Sequence, residues 1–296
     1  MGNKEPPFDF SGLPLVGRAP VQDKLLSFLK AAQSGQGSTV ILTGERGVGK
    51  SHLAGVIRGE AERKGVQTAA GQAYRAEARM PFSLFSDTFL PLLKDQSPEG
   101  LTVLSRGRVQ DLSYLLPGLE TPRGPAAPME SETHSEFRTR VIWTFSEVLC
   151  EMARKTPFLV VLEDLQWADP SSLEIIHFLA RHMKGSPTLF LMTRDLHPEE
   201  EYPELLEVER SLVGQGVAEA LVLPPLTRDE TGVLLEKAFH VDQQVAGEFT
   251  DALHQWTQGN PFFIQQTLEA LVRSGRLYQK GDTWLGWTTR ELVLPA

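Results

Sequence analysis

The stretch Gly44-Glu45-Arg46-Gly47-Val48-Gly49-Lys50-Ser51 combines the residue types that bind phosphate. Glycines let the backbone curl so that several N–H groups converge on phosphate oxygens. The lysine can then reach the terminal phosphates, and the serine hydroxyl can ligate Mg²⁺. The apolar run Val40-Ile41-Leu42-Thr43 precedes this stretch, and a helical pattern through Leu53, Ala54 and Ile57 follows it. The loop is therefore expected between a strand and a helix whose positive dipole end faces the anion. In this reading Gly44, Gly47, Val48, Gly49, Lys50, Ser51 and the adjoining His52 make the phosphate side of a nucleotide site. The competing reading is a glycine turn with an exposed lysine.

A phosphate loop that works on nucleotides needs a carboxylate at the end of a neighbouring strand to hold Mg²⁺, usually through water, and a group that activates or orients the attacking water. Phe158-Leu159-Val160-Val161-Leu162 is a continuous, β-branched-rich run, as expected for a strand buried on both faces, and Glu163-Asp164 end it. Glu163 is assigned to the metal, with Ser51, and Asp164 to the water. Asp169 is expected to cap the next helix or shape the loop, the alternative being a place in the metal shell. A further apolar strand, Thr188 to Met192, ends in Thr193-Arg194, where a cation can distinguish ATP from ADP. The expected catalytic set is thus Asp164, Glu163, Lys50 and Arg194; the alternative for Arg194 is a turn arginine paired with Asp195. None of the seven histidines clusters with Cys150 or carboxylates at metal-ligand spacing, so no zinc site is expected.

These groups need a scaffold, and the pattern supplies one. An amphipathic helix carries Val21, Leu25, Phe28 and Leu29; strand one covers Thr39 to Thr43, and a helix runs from Lys50 to Arg63. A second strand is predicted at Val66 to Ala70, helices at Phe82 to Leu93 and Glu136 to Lys155, a helix capped near Ser171 and reaching Met183, and a fifth strand at Ala220 to Leu223. Between Lys94 and Ser135 the pattern loosens; Pro117, Gly118, Pro122, Gly124, Pro125 and Pro128 predict a surface loop at its centre. Strands alternating with helices predict an α/β fold with a mostly parallel five-stranded sheet, which binds ligands at the carboxyl ends of its strands. Beyond Pro224-Pro225 the pattern is helical: Arg228 to Lys237, Val245 to Thr257, and Phe262 to Arg273 after the stop-and-start Gly259-Asn260-Pro261, with a hairpin between Arg276 and Trp287. The expected domains are an irregular leader (1–14), a nucleotide-binding domain (15–225, with 94–135 partly a loop insertion) and a smaller helical lid (226–296).

The net charge is −9, from 29 basic and 38 acidic residues, so no global field draws the chain to nucleic acid or to an anionic membrane. Cys150 is the sole cysteine, which excludes an intramolecular disulfide framework and makes a cytoplasmic setting the expectation. No run of 18 apolar residues stands ready to span a bilayer. The apolar ending Glu291-Leu292-Val293-Leu294-Pro295-Ala296 stops without a terminating element, and the chain is expected to be the front of a longer protein.

Together Leu15-Val16-Gly17-Arg18, the phosphate loop, Leu162-Glu163-Asp164-Leu165-Gln166-Trp167-Ala168-Asp169-Pro170-Ser171-Ser172, Met192-Thr193-Arg194 and Gly259-Asn260-Pro261-Phe262-Phe263 occur in a familiar order. The chain resembles the signal-transduction ATPases with numerous domains, the STAND class of P-loop NTPases, whose AAA+-like ATPase modules head large LuxR-type transcription regulators and accompany some cyclases and kinases. The resemblance implies an ATP-driven switch, with ADP holding a closed state and ATP allowing an open one that forms a homo-oligomer or releases an output domain. It places Val16 and Arg18 near adenine and ribose, Lys50 and Ser51 at the phosphates and Mg²⁺, Arg194 as sensor, and Pro261 against the nucleotide. It also implies sensor and output domains beyond Ala296. Glu163 stands where many P-loop NTPases carry aspartate, and its extra methylene moves the carboxylate by about a bond length, from which slow hydrolysis is expected. Three other readings compete: a scaffold that holds nucleotide without hydrolysing it, a DNA-associated AAA+ ATPase, against which the acidity argues, and a small-molecule kinase.

Overall fold

The computed structural model describes residues 13–121, 127–129, 132–196 and 203–288. Most of the predicted leader, the loop residues Pro122, Gly124 and Pro125, and the closing segment from Glu291 lie outside the described residues. The chain divides into two compact units: residues 23–43 with 54–222, and residues up to 22 with 44–53 and 223 onward.

The larger unit is built on a sheet of five strands, β1 (Ser38–Gly44, whose last residue belongs to the other unit), β2 (Gln67–Gln72), β3 (Phe158–Glu163), β4 (Thr188–Asp195) and β5 (Ala218–Val222), in the order β2-β3-β4-β1-β5. β3 forms parallel pairs with β2 and β4, and β1 with β5. Phe158 to Leu162 are all buried, as a strand covered on both faces requires. In the register Gln72 lies across from Glu163 and Leu162 across from Met192, which brings the polar residues that follow to one edge of the sheet.

Parallel neighbours need crossovers, and helices provide them. α1 (Ala19–Gln33) buries Leu25, Leu29 and Ala32, and α2 (Lys50–Arg63) stops at Gly65, which takes a left-handed φ of +71°. α3 (Ser83–Lys94) and the later α6 (His134–Lys155) supply Phe85, Phe89 and Phe145 to an aromatic core with Phe158 of β3; the rings of Phe89 and Phe145 meet edge to face at 5.1 Å. Thr133 and Glu136 cap α6 reciprocally.

The predicted loosening after Lys94 is in part helical. α4 (Pro98–Leu104) and α5 (Val109–Leu115) bury Leu101, Leu104, Val109, Leu112 and Leu115. Arg140 of α6 holds this region with a bidentate pair to Glu132 (2.8 and 3.0 Å) and a bond to the buried Asp111, which also accepts from Thr144. Cys150 is buried on the same helix, and burial pushes its thiol pKa up, which disfavours the reactive thiolate.

α7 (Pro170–His182) begins one residue after Asp169, which caps it as expected, and Ser171 lies in its first turn. The Asp169 carboxylate accepts from the N–H groups of Ser171 and Ser172 (3.0 Å each), from the Ser172 hydroxyl, and from Phe82 N–H at 3.3 Å. Asp169→Ala is expected to cost about 2 kcal/mol, the upper end for a helix cap, because it also frees the Phe82 N–H. Urea unfolding checks it, and an unchanged midpoint would show that water replaces the carboxylate at no cost. A further helix, α8 (Pro203–Gly214), buries Leu205 and Leu212 between β4 and β5, where no element was predicted.

In the smaller unit α9 (Arg228–Phe239), α10 (Gln243–Thr257) and α11 (Pro261–Arg273) are followed by the hairpin β6 (Tyr278–Lys280) and β7 (Thr283–Leu285). Phe239, Phe249, Ile264, Leu268, Trp284 and Trp287 form its core, with Phe249 and Trp287 edge to face at 5.2 Å. Only glycine fits at position 259: φ is +70°, and a Cβ would lie 1.9 Å from the Leu226 carbonyl oxygen. Asn260 then caps α11 and Pro261 fills its first turn, as the sequence predicts. Among the described residues no helix is long and apolar enough to cross a membrane.

Candidate functional site

The smaller unit contains the phosphate loop. Gly47 and Gly49 take left-handed φ values of +80° and +103°, the conformations that let successive N–H groups turn inward. At Gly44 a Cβ would lie 2.7 Å from the Leu223 carbonyl oxygen, so the loop leaves its strand with no room for a side chain. Lys50 opens α2, is buried, and donates from Nζ to the carbonyls of Gly44 and Glu45 at 3.0 Å each. Ser51 and His52 are exposed on the first turn.

Leu15-Val16-Gly17-Arg18 passes beside this loop. Gly17, at φ +69°, makes way for the Glu230 carboxylate, which a Cβ would meet at 2.4 to 2.8 Å. Arg18 is buried; Nη1 donates to Pro224 O at 2.6 Å and Nη2 to Val48 O at 2.8 Å. Burial lowers its pKa and the charge of Glu230 opposes that shift. Val16, Arg18, Val48, Gly49, His52 and Pro261 all line one cleft, together with Leu226, Leu234 and Gln265. Six residues of the predicted nucleotide set thus meet in a single apolar hollow within this unit. Gln265 stands four residues after Pro261 on the same face of α11, a spacing that identifies it once Pro261 is placed.

The strand-end groups belong to the larger unit. Asp164 directly follows β3 with φ +56°, a left-handed conformation that aspartate tolerates better than most residues. Its N–H donates to Thr193 Oγ1 (3.1 Å); its carboxylate accepts from Gln72 Nε2 at 2.7 Å and Gln166 Nε2 at 3.3 Å. The buried Gln166 also accepts from Asp195 N–H at 3.1 Å and so ties the end of β3 to the end of β4. An ionised carboxylate has about four acceptor positions, so these two amides orient Asp164 and leave capacity for a water.

Glu163 differs. Its Oε2 is buried and has no hydrogen-bond partner among the described residues. A carboxylate oxygen kept from water without a donor is costly, and a hydrated cation is the kind of group that would relieve the cost. Glu163→Gln is expected to stabilise the nucleotide-free protein by about 1 kcal/mol, since a neutral amide is cheaper to bury than an unpaired charge, while weakening any Mg²⁺ dependence. Chemical unfolding in chelator reads the first effect; a destabilised variant would mean that this oxygen is already well solvated.

Arg194 near the end of β4 is engaged. Nε and Nη2 form a bidentate pair with Glu209 of α8 at 2.6 and 3.2 Å, and Nη1 donates to Asp195 O at 3.0 Å. Its carboxylate partner is Glu209, and the Asp195 carbonyl is a third acceptor. Gln72 and Glu209 are site residues that motif reading misses, and Gln166 stands within the stretch Leu162 to Ser172 without a role assigned to it there.

Residues 14–192 match the family described as AAA ATPase domain. An uncharacterized protein, R02095, of Rhizobium meliloti (strain 1021) is 26% identical over 286 residues, which cover 88% of this chain and 25% of that protein; the chain spans a quarter of the curated relative's length. Three solved structures resemble the fold. The Aeropyrum pernix ORC1 protein in complex with DNA gives a TM-score of 0.51 at 17% identity, over 90% of this chain and 62% of that one. Cdc6p from Pyrobaculum aerophilum gives 0.52 at 13%, over 93% and 65%. Drosophila ORC bound to DNA gives 0.54 at 11%, over 93% and 63%. At these identities the likeness is one of fold.

Proposed function

This chain belongs to the AAA ATPase domain family, and on that premise we propose that it is the ATP-driven switch module, of STAND type, of a larger regulatory or signalling protein. The observation that carries the reading is the single cleft formed by Val16, Arg18, Val48, Gly49, His52 and Pro261 beside the phosphate loop. It offers apolar walls for a base next to glycines for a phosphate chain.

The residues fit the nucleotide and its metal. Gly47 and Gly49 have the left-handed backbone of an anion nest, Lys50 supplies a buried ammonium, and Glu163 has a carboxylate oxygen with no donor among the described residues. Ser51 and, through water, Glu163 would hold Mg²⁺. Bound Mg²⁺ supplies positive charge to the phosphate oxygens. In the proposed reaction Asp164, set by Gln72 and Gln166, accepts a proton from the water that attacks the γ-phosphorus as the bond to the leaving ADP oxygen breaks. Lys50 neutralises charge on the phosphates. Arg194 reads the γ-phosphate in this scheme, and Glu209 is the partner it must exchange to do so.

The proposal extends to ATP-dependent self-association, a cytoplasmic setting and further sensor and output domains. The lid is taken as residues 226–296, the nucleotide-binding domain as 15–225. Two of the solved relatives are bound to DNA. For this chain the net charge of −9 weighs against a direct nucleic-acid role. The deciding experiment is to denature the purified protein, identify any released nucleotide by anion-exchange chromatography, and follow phosphate release with added ATP. Retained ADP with slow release supports the switch. Retained nucleotide with no release supports a non-hydrolysing scaffold, and failure to bind ATP or ADP at millimolar concentration overturns the reading.

A further inference from the structure

Three successive carbonyl oxygens of the phosphate loop are each taken by a donor from far along the chain. Arg46 O accepts from Asn260 Nδ2 at 2.8 Å, Gly47 O from Phe262 N–H at 3.2 Å, and Val48 O from Arg18 Nη2 at 2.8 Å. A trans peptide is planar, and its carbonyl points opposite to the N–H of the next residue. Holding these carbonyls therefore sets the directions of the N–H groups of Gly47, Val48 and Gly49. The Val48 N–H closes the loop's own turn on Glu45 O at 3.2 Å. Those of Gly47 and Gly49 point away from the bracketing donors, as an anion nest requires.

Asn260 is the centre of this bracket. It is only 4% exposed, and its carboxamide is divided between two tasks. Oδ1 accepts from Phe262 N–H at 3.1 Å and caps α11, while Nδ2 grips the loop across 214 positions of sequence. The contact is close: a Cβ on Gly47 would lie 2.9 Å from Asn260 Oδ1 and 2.7 Å from Phe262 Cβ.

We infer that Asn260 is a positioning residue for phosphate binding, which holds the loop's peptide planes in the anion-binding orientation from behind and makes the grip on phosphate depend on the start of α11. The inference rests on the nucleotide-binding reading above. By linkage the dependence is reciprocal: phosphate on the loop strengthens the seating of α11, which turns occupancy into a mechanical signal.

Asn260→Ser separates the two tasks, because serine is a good neutral N-cap but is too short to reach Arg46 O. Affinities for ADP, inorganic pyrophosphate and adenosine are measured by displacement of a fluorescent ADP analogue, alongside the melting temperature. One lost hydrogen bond predicts a loss of about fivefold for ADP and for pyrophosphate alike, with adenosine unchanged. If the serine variant does not fold, Asn260→Asp, which keeps shape and cap but lacks the donor, is expected to lose at least as much. Equal pyrophosphate affinity in wild type and variant overturns the inference, as does an equal loss for adenosine, which would mark a merely structural role. A wild-type protein that binds neither ADP nor pyrophosphate would instead overturn the nucleotide-binding reading, and the inference with it.

Discussion

Lys50→Ala is expected to weaken ADP and ATP binding by about 10- to 100-fold, the equivalent of one charge-assisted hydrogen bond to phosphate. The fold should survive. Lys50 is the first residue of α2, and alanine is the best helix former, so the helix is not weakened where it starts. The ammonium donates to the loop's own carbonyls, Gly44 O and Glu45 O, and removing it costs those two acceptors a partner that water can replace in part. Calorimetric titration with ADP, beside a melting curve, measures both effects. Unaltered affinity in a folded variant would refute the phosphate-loop assignment, and with it the chemistry assigned to the strand ends.

How far such an assignment can be read from sequence depends on how local its causes are. The phosphate loop, β3 and α2 are local: glycine spacing, a continuous apolar run and a 3.6-residue period each act within a dozen residues, and α2 runs from Lys50 to Arg63 as predicted. Asn260 as a cap is also local, whereas its grip on Arg46 O spans 214 positions and has no sequence signature. Gln72 and Gln166 fall in the same class. They matter because the β2–β3 register sets Gln72 across from Glu163, and because Gln166 bridges two strand ends; Gln72 belongs to no motif, and the motif stretch that contains Gln166 does not reveal the bridge. α4 and α5 escape notice for another reason. Arg106 and Gly107, both left-handed at φ +50° and +82°, cut the apolar pattern into seven-residue pieces, too short for a helical period to stand out. α8 was within reach, since Leu205, Val208 and Leu212 stand at helical spacing after Pro203. Its omission hid Glu209, the partner of Arg194.

Asp164→Asn is the substitution expected to separate binding from turnover most sharply. Asparagine is nearly isosteric and tolerates the left-handed φ of +56° that this position demands, so the backbone between β3 and the following turn is kept. Its side chain can accept on only one atom, whereas the carboxylate accepts from Gln72 on one oxygen and Gln166 on the other; one of the two bonds is lost, at a cost of about 1 kcal/mol in stability. The amide cannot take a proton from water. Phosphate release from ATP is therefore expected to fall by about 10²- to 10⁴-fold, the range for loss of a general base, while ADP affinity stays within about twofold. Three outcomes have different meanings. Lost turnover with intact binding assigns Asp164 to the water. Turnover unchanged from a low background would identify the protein as a nucleotide-holding scaffold, in which the strand-end carboxylates serve the fold. Lost binding would mean that the Gln72–Asp164–Gln166 arrangement supports the nucleotide site itself, and Gln72→Ala, which removes one amide and leaves the carboxylate in place, should then weaken ADP binding as well.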